Sequence, residues 1–308
     1  MTKISVVTPC FNEAENVEEL CRRIRKTLED LQVEYEHILI DNASTDETVS
    51  ILKSLASQDT RIKIIINTRN FGHIRSPYYG ILQACGDAVV ILASDLQDPP
   101  EMISEFLKKW EQGYKVVVGV KTQSEEFGLY YLLRTLYYRF LRKLSDVRLI
   151  ENFTGFGLYD QRVIEVLRQI DDPYPYFRGL IADIGFETAK IPFTQPRRKR
   201  GISKNNFYSL YDMAMLGVTN YTKVPLRLAT MLGFFAAGVS FLVGLAYLIY
   251  KLVNWQNFSL GLAPVVIGLF FLGSIQLIFL GVVGEYIGAI YTQVMRRPLV
   301  IEKERINF

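Results

Sequence analysis

Four short polar segments follow apolar runs and carry the residue types that handle phosphates and sugars. They are Pro9-Cys10-Phe11-Asn12-Glu13, Asp41-Asn42-Ala43-Ser44-Thr45-Asp46, Arg69-Asn70-Phe71-Gly72 and Ser94-Asp95-Leu96-Gln97-Asp98. Side-chain amides and carboxylates hydrogen-bond a nucleotide's base and ribose. A carboxylate left over suits a divalent cation on a diphosphate, because Mg2+ and Mn2+ take oxygen ligands and substrate phosphates rather than a dedicated protein cage. Singly, each segment has a plainer reading: Asp41 and Ser44 fit a closed turn or a helix cap, and Asp98 fits an N-cap. A basic run, Arg197-Arg198-Lys199-Arg200-Gly201-Ile202-Ser203-Lys204, adds guanidinium and ammonium groups suited to phosphate.

The apolar runs that must position these segments read as strands at Ile4–Thr8, His37–Ile40, Ile62–Ile66, Ala88–Ala93 and Lys115–Val120. Between the first two, Val17, Leu20, Cys21, Ile24, Leu28 and Leu31 recur at three- or four-residue spacing, which predicts a helix. Ser44 and Glu47 form a capping-box pattern for the next helix. Asp98-Pro99-Pro100-Glu101 reads as a cap with prolines at a helix start. A further helix is expected near Val163–Ile170, and one over 124–150 leaving the sheet. Strand–helix alternation predicts an α/β, mainly parallel, doubly wound sheet. Ligands bind beyond the carboxyl ends of such strands, where all four polar segments fall.

The 308 residues carry 35 Lys and Arg against 32 Asp and Glu, a formal charge of +3, which gives no footprint for nucleic acid. Three cysteines without metal spacing argue against a disulfide framework, and two histidines are too few for a His-based metal site. The apolar content is unevenly placed: between Arg227 and Glu285 the only charged residue is Lys251. The uncharged run 228–250 would span about 35 Å at ~1.5 Å per residue, enough to cross a hydrocarbon core of about 30 Å, and 258–284 is long enough to cross once. Phe207, Tyr211, Ala214, Val218 and Tyr221 form an apolar stripe expected to lie in the membrane interface over 206–227. Basic residues concentrate before the first run and after the second. The positive-inside rule therefore places residues 1–205 and the tail 285–308 in the cytoplasm of an integral protein of the cell (inner) membrane.

These motifs, with Asn70-Phe71-Gly72, Arg200-Gly201-Ile202-Ser203-Lys204 and Gly284-Glu285-Tyr286-Ile287-Gly288, resemble family 2 glycosyltransferases of GT-A fold, and within them the polyprenyl-phosphate glycosyltransferases. The resemblance implies inverting transfer of one sugar from a UDP- or GDP-sugar to a polyprenyl phosphate. It implies that Pro9, Phe11, Glu13, Asp41, Asn42, Asn70, Gly72 and Ser94 hold the nucleotide sugar. Asp95 and Gln97 would hold Mg2+ or Mn2+, so that Asp95 acts through the metal, and Arg200, Ser203 and Lys204 would meet the acceptor phosphate.

The chain departs from that pattern. Ala93 stands where many relatives carry the first Asp of a metal motif, Asn42-Ala43 where they often have Asp-Gly, Gly155 where they place the usual general base, and Gly157 where they place an Arg. A missing base is tolerable for a phosphate acceptor, whose second pKa of about 6 leaves it largely ionised near neutrality. The same departures fit a silent membrane scaffold that binds nucleotide sugar or a glycan-assembly partner. A glycosyltransferase with another acceptor is a third reading. Small residues along both runs also permit a homo-oligomer.

Overall fold

The computed structural model describes residues 2–122, 150–196, 215–219, 222–253 and 262–308. The first four apolar runs become β1 (Lys3–Cys10), β2 (Glu34–Asp41), β3 (Ile62–Asn67) and β4 (Ala88–Ile91). They pair in parallel, and β5 (Val116–Lys121) pairs in parallel with β7 (Thr188–Phe193). β6 (Phe153–Asp160) runs antiparallel between β4 and β5, and β8 (Glu302–Ile306) runs antiparallel along β3. The sheet order is β7-β5-β6-β4-β1-β2-β3-β8. The sheet is therefore mixed but mainly parallel.

Alternation along each strand sends successive side chains to opposite faces. Val6 of β1 packs with Leu20, Ile24 and Leu28 of α1 (Val17–Asp30) and Phe106 of α4 (Ile103–Glu111). Val7 packs with Tyr78 of α3 (Gly72–Leu82), Leu167 of α5 (Gln161–Gln169) and Ile181 of α6 (Phe177–Ile184). Leu52 and Ala56 of α2 (Thr48–Gln58) cover β2 and β3. Burial on both faces is why the central strands read as unbroken apolar runs.

Glu36 locks the amino-terminal ends of three strands together. Its side chain is 2% exposed, and it meets Lys63 Nζ of β3 at 2.7 Å and Lys3 Nζ of β1 at 3.3 Å. It also accepts hydrogen bonds from Ser5 Oγ (2.5 Å) and the Cys85 amide (2.8 Å).

The two long apolar helices are α7 (Val224–Val253) and α8 (Leu262–Met295). In the apolar windows of both, no residue is buried, with Phe234 77% and Phe270 71% exposed. A core hairpin of a soluble protein would be buried, so these helices are candidate membrane spans. The chain after them departs from the expected tail: α8 continues to Met295, and residues 302–306 enter the sheet. Glu-Lys-Glu-Arg-Ile has no apolar run to announce a strand. Backbone pairing with β3 and the Lys53–Glu304 contact at 2.6 Å hold it instead. Because β8 shares a sheet with β3, both ends of the hairpin lie on one side of any bilayer it crosses. Of the interface stripe, only Val218 falls within the described residues; the expected helix over 124–150 lies outside them apart from Ile150.

Candidate active site

The loops after β1 and β2 are stitched into one surface. Asn12 adopts a left-handed backbone (φ 57°), which Asn tolerates better than most residues. Its amide donates to Ser44 Oγ at 2.8 Å, and its Oδ1 accepts from the Thr45 amide at 2.7 Å. Ser44 in turn donates through its amide (2.9 Å) and hydroxyl (2.5 Å) to the Asp41 carboxylate. The capping-box reading is thereby corrected. Ser44 serves the β1 and β2 loops, and Asp46 closes the start of α2 by accepting from the Thr48 amide at 3.0 Å.

Asp41 is fully buried, and burial raises its pKa while the Ser44 hydrogen bonds work the other way. Asn42 is saturated. Its Nδ2 donates to Asn70 Oδ1 (2.9 Å) and Gly72 O (3.1 Å), while its Oδ1 accepts from Asn67 Nδ2 (3.2 Å) and the Phe71 amide (2.9 Å). Two donors and two lone pairs are all an amide has. Asp41 and Asn42 thus hold these loops in place, Asn42 by shaping Asn70-Phe71-Gly72.

The segment after β4 carries the acids. Leu96 has φ 59°, uncommon for a non-glycine residue and costing of order 1–3 kcal/mol. That geometry buries the Leu96 side chain in the core and leaves Asp95 and Gln97 half-exposed. Asp95 Oδ1 accepts from the Gln97 amide at 3.1 Å. Asp98 does not cap the following helix. Pro99 occupies the cap of the turn Pro100–Met102, and Asp98 folds back so that its Oδ2 accepts from the Ala93 amide at 3.0 Å. Burial pushes its pKa up to about 6, with the Ala93 N–H opposing and Asp95 adding to the rise.

A cleft of about 300 Å³ opens at these strand ends and gathers Pro9, Asp95, Asp98 and Gly155. Tyr78, Tyr176 and Phe177 supply aromatic lining, and Arg178 lies on it too. Phe11, Glu13, Asp41, Asn42, Asn70, Gly72, Ser94 and Gln97 are not among its lining residues and belong to the adjoining loops. Ser94 is buried beside Cys10, whose thiol burial pushes well above its usual range. Arg200, Ser203 and Lys204 lie outside the described residues. Sequence reasoning missed Tyr176, Phe177, Arg178 and the cleft role of Asp98. The aromatic and proline cluster Tyr174-Pro175-Tyr176-Phe177 before a helix was the available signal.

The donor set suits a hard divalent cation. No group of three His, Cys, Asp or Glu side chains forms a cage among the described residues. Mg2+ or Mn2+ needs only one or two carboxylates when substrate phosphates complete its shell. Asp95 supplies a carboxylate beside the cleft, and Gln97 supplies an amide oxygen on the next turn, its Nε2 donating to Pro196 O at 3.4 Å.

The two departures in β6 are built into the backbone. Gly155 has φ 106°, a conformation that favours glycine, and its carbonyl accepts from Tyr159 Oη at 2.8 Å. A Cβ at Gly157 would stand 2.4 Å from Val117 O and 3.1 Å from Val118 Cα, both backbone atoms of β5. Gly157→Ala is therefore expected to lower stability by about 3 kcal/mol, because neither strand can yield as a side chain would. A fall of roughly 6–12 °C in Tm of the purified chain would check it.

Comparison with known proteins agrees with this architecture. Residues 5–168 match the profile of glycosyl transferase family 2, and residues 224–290 match that of the GtrB C-terminal hairpin. The SfII prophage-derived bactoprenol glucosyl transferase of Shigella flexneri is 34% identical over 303 residues, covering 98% of each chain. A prophage bactoprenol glucosyl transferase homolog of Escherichia coli K12 is 32% identical over 302 residues, again covering 98% of each. Among solved structures, glucosyl-3-phosphoglycerate synthase from Mycobacterium tuberculosis, in complex with Mn2+, UDP and phosphoglyceric acid, shares the fold. Its TM-score is 0.50 at 18% identity, over 71% of this chain and 76% of that one. With a GT-A-like sheet, an acidic cleft at its strand ends and a matched C-terminal hairpin, the chain belongs to glycosyl transferase family 2 and is a glycosyltransferase.

Proposed function

We propose that the chain transfers a single sugar, with inversion, from a UDP- or GDP-sugar to a polyprenyl phosphate at the cytoplasmic face of the cell membrane. The observation that carries this reading is the return of β8 to β3, which ties the apolar hairpin to the sheet whose strand ends form the cleft. An acceptor with a phosphate head and a long apolar tail is the class of molecule that would meet both. The bactoprenol glucosyl transferases named above support the acceptor class. The basic residues flanking the hairpin support the orientation.

Pro9, Phe11, Glu13, Asn70, Gly72 and Ser94 form the nucleotide side of the site, on loops held by Asp41 and Asn42. Asp95 and Gln97 hold the divalent cation, and Arg200, Ser203 and Lys204 meet phosphate at the membrane surface. When bound, Mg2+ or Mn2+ neutralises charge developing on the departing diphosphate. An acceptor phosphate oxygen forms its bond to the anomeric carbon as the bond to the diphosphate breaks, which inverts that carbon. Gly155 offers no base, and none is needed: a phosphate near neutrality is largely ionised before it arrives. Positioning is the protein's main contribution.

Ala93 and Gly155 also favour a second reading, a silent scaffold. The deciding assay supplies membranes containing the chain with radiolabelled UDP- and GDP-sugars plus Mg2+ or Mn2+. Label is expected in the organic extract and to be released by mild acid. Folded, inserted chain that yields no lipid-linked label from any donor would put the scaffold reading in its place.

A further inference from the structure

We infer that the Arg178 guanidinium contacts a substrate phosphate in the cleft, an inference that rests on the phosphate-bearing substrates proposed above. Among the described residues lining the cleft, Arg178 is the one lysine or arginine, facing a lining whose acids are Asp95 and Asp98. A donor diphosphate and an acceptor phosphate together bring roughly three to four negative charges into this space. A divalent cation already shared with Asp95 leaves most of that charge to be met by fixed cations, and within the cleft itself Arg178 is the described residue that supplies one.

Arg178 is placed for this. It lies in the first turn of α6, whose backbone N–H groups add positive potential at the same end. Its Nη1 donates to Phe153 O at 3.4 Å, and its guanidinium carbon sits 5.6 Å from the centroid of the buried Tyr176 ring. These contacts hold a planar donor fork at the wall, the geometry that takes phosphate oxygens in pairs. Gly155 keeps the approach clear. The nearest atom to a Cβ built there is Cδ1 of Phe177 at 3.8 Å, so position 155 itself puts no side chain into the space beside the start of α6.

The test uses the full chain in detergent as wild type, Arg178→Gln and Arg178→Lys. Calorimetry reads binding of UDP and GDP with Mn2+ and, separately, of farnesyl phosphate. Arg178→Gln is expected to weaken nucleotide or farnesyl phosphate at least tenfold, the scale of a lost charge-assisted hydrogen bond, with Arg178→Lys recovering only part. Weakened nucleotide identifies the donor diphosphate as the partner, and weakened farnesyl phosphate identifies the acceptor. Affinities for both within twofold of wild type would overturn the inference. If Arg178→Gln also lowers Tm, the lysine variant decides, and wild-type affinities from a stable Arg178→Lys overturn the fork. Binding is read without turnover. A wild-type chain that binds both ligands yet transfers nothing sinks the proposed reaction while leaving Arg178 tested, and one that binds neither overturns both.

Discussion

Asp95→Ala is expected to lower the rate of sugar transfer by about 10³-fold, on the order of 4 kcal/mol of transition-state stabilisation, while leaving Tm within a few degrees of wild type. The size follows from the composition of the cleft. Ala93 contributes no carboxylate, so on the proposed reading Asp95 would be the carboxylate that, with Gln97, holds a cation on the diphosphate. The small effect on stability follows from place. Asp95 is half-exposed beside the cleft, on a loop outside the packed core. Two measurements check the prediction: label transfer under saturating donor, and a Mn2+ titration followed by electron paramagnetic resonance with UDP present. Transfer within tenfold of wild type would show that the cation is held elsewhere.

Glu36→Gln is expected to act in the opposite way, lowering stability by about 3 kcal/mol while leaving the cleft unchanged. Breaking a buried ion pair leaves the partner charge uncompensated, and here Lys63 and Lys3 lose the same carboxylate. Burial of Glu36 would raise its pKa, but the hydrogen bonds from Lys63, Ser5 and the Cys85 amide prevail and hold it at about 2, below the ordinary 4.5. A depressed carboxylate stabilises the fold fully above its unfolded pKa. That contribution is lost as pH falls from about 4.5 toward 2. Wild type should therefore lose Tm across this window more steeply than Glu36→Gln. Parallel acid profiles for the two proteins would show that Glu36 is not the linked group.

Both residues belong to a pole-to-pole division along the strands. Glu36 and Asp41 are on one strand, β2: the first ties strand starts together, the second organises the strand-end loops. What the sequence made legible follows the same division. Burial on both faces made β1 to β5 readable as apolar runs, and the polar residues after them marked the edge where the cleft lies. Three strands were not readable. β6 is broken by Gly155 and Gly157, β7 contains Lys190 and Pro192, and β8 is charged at four of five positions. Each is defined by partners distant in sequence rather than by a period of its own. The roles of Ser44, Asn42 and Asp98 were hidden for a related reason. A short polar side chain near a helix start caps it or serves a loop thirty residues away with equal chemical ease, and only tertiary placement decides. Arg178 and Tyr176 reach the cleft because α6 packs against β6, a contact that no local pattern announces.

The strand that closes the sheet has a consequence for biosynthesis. β3 is complete in the chain once residue 67 is made, but the strand that pairs along its outer edge ends at Ile306. Throughout synthesis of the intervening chain, including both apolar helices, that edge presents unpaired N–H and C=O groups, the kind of surface on which chains aggregate. Ile64, Ile65 and Ile66 sit on it. The sheet is thus completed only after both apolar helices have been synthesised, and its last ladder has the longest loop to close. A chain released early, or one whose hairpin fails to insert, exposes an open β edge to quality control.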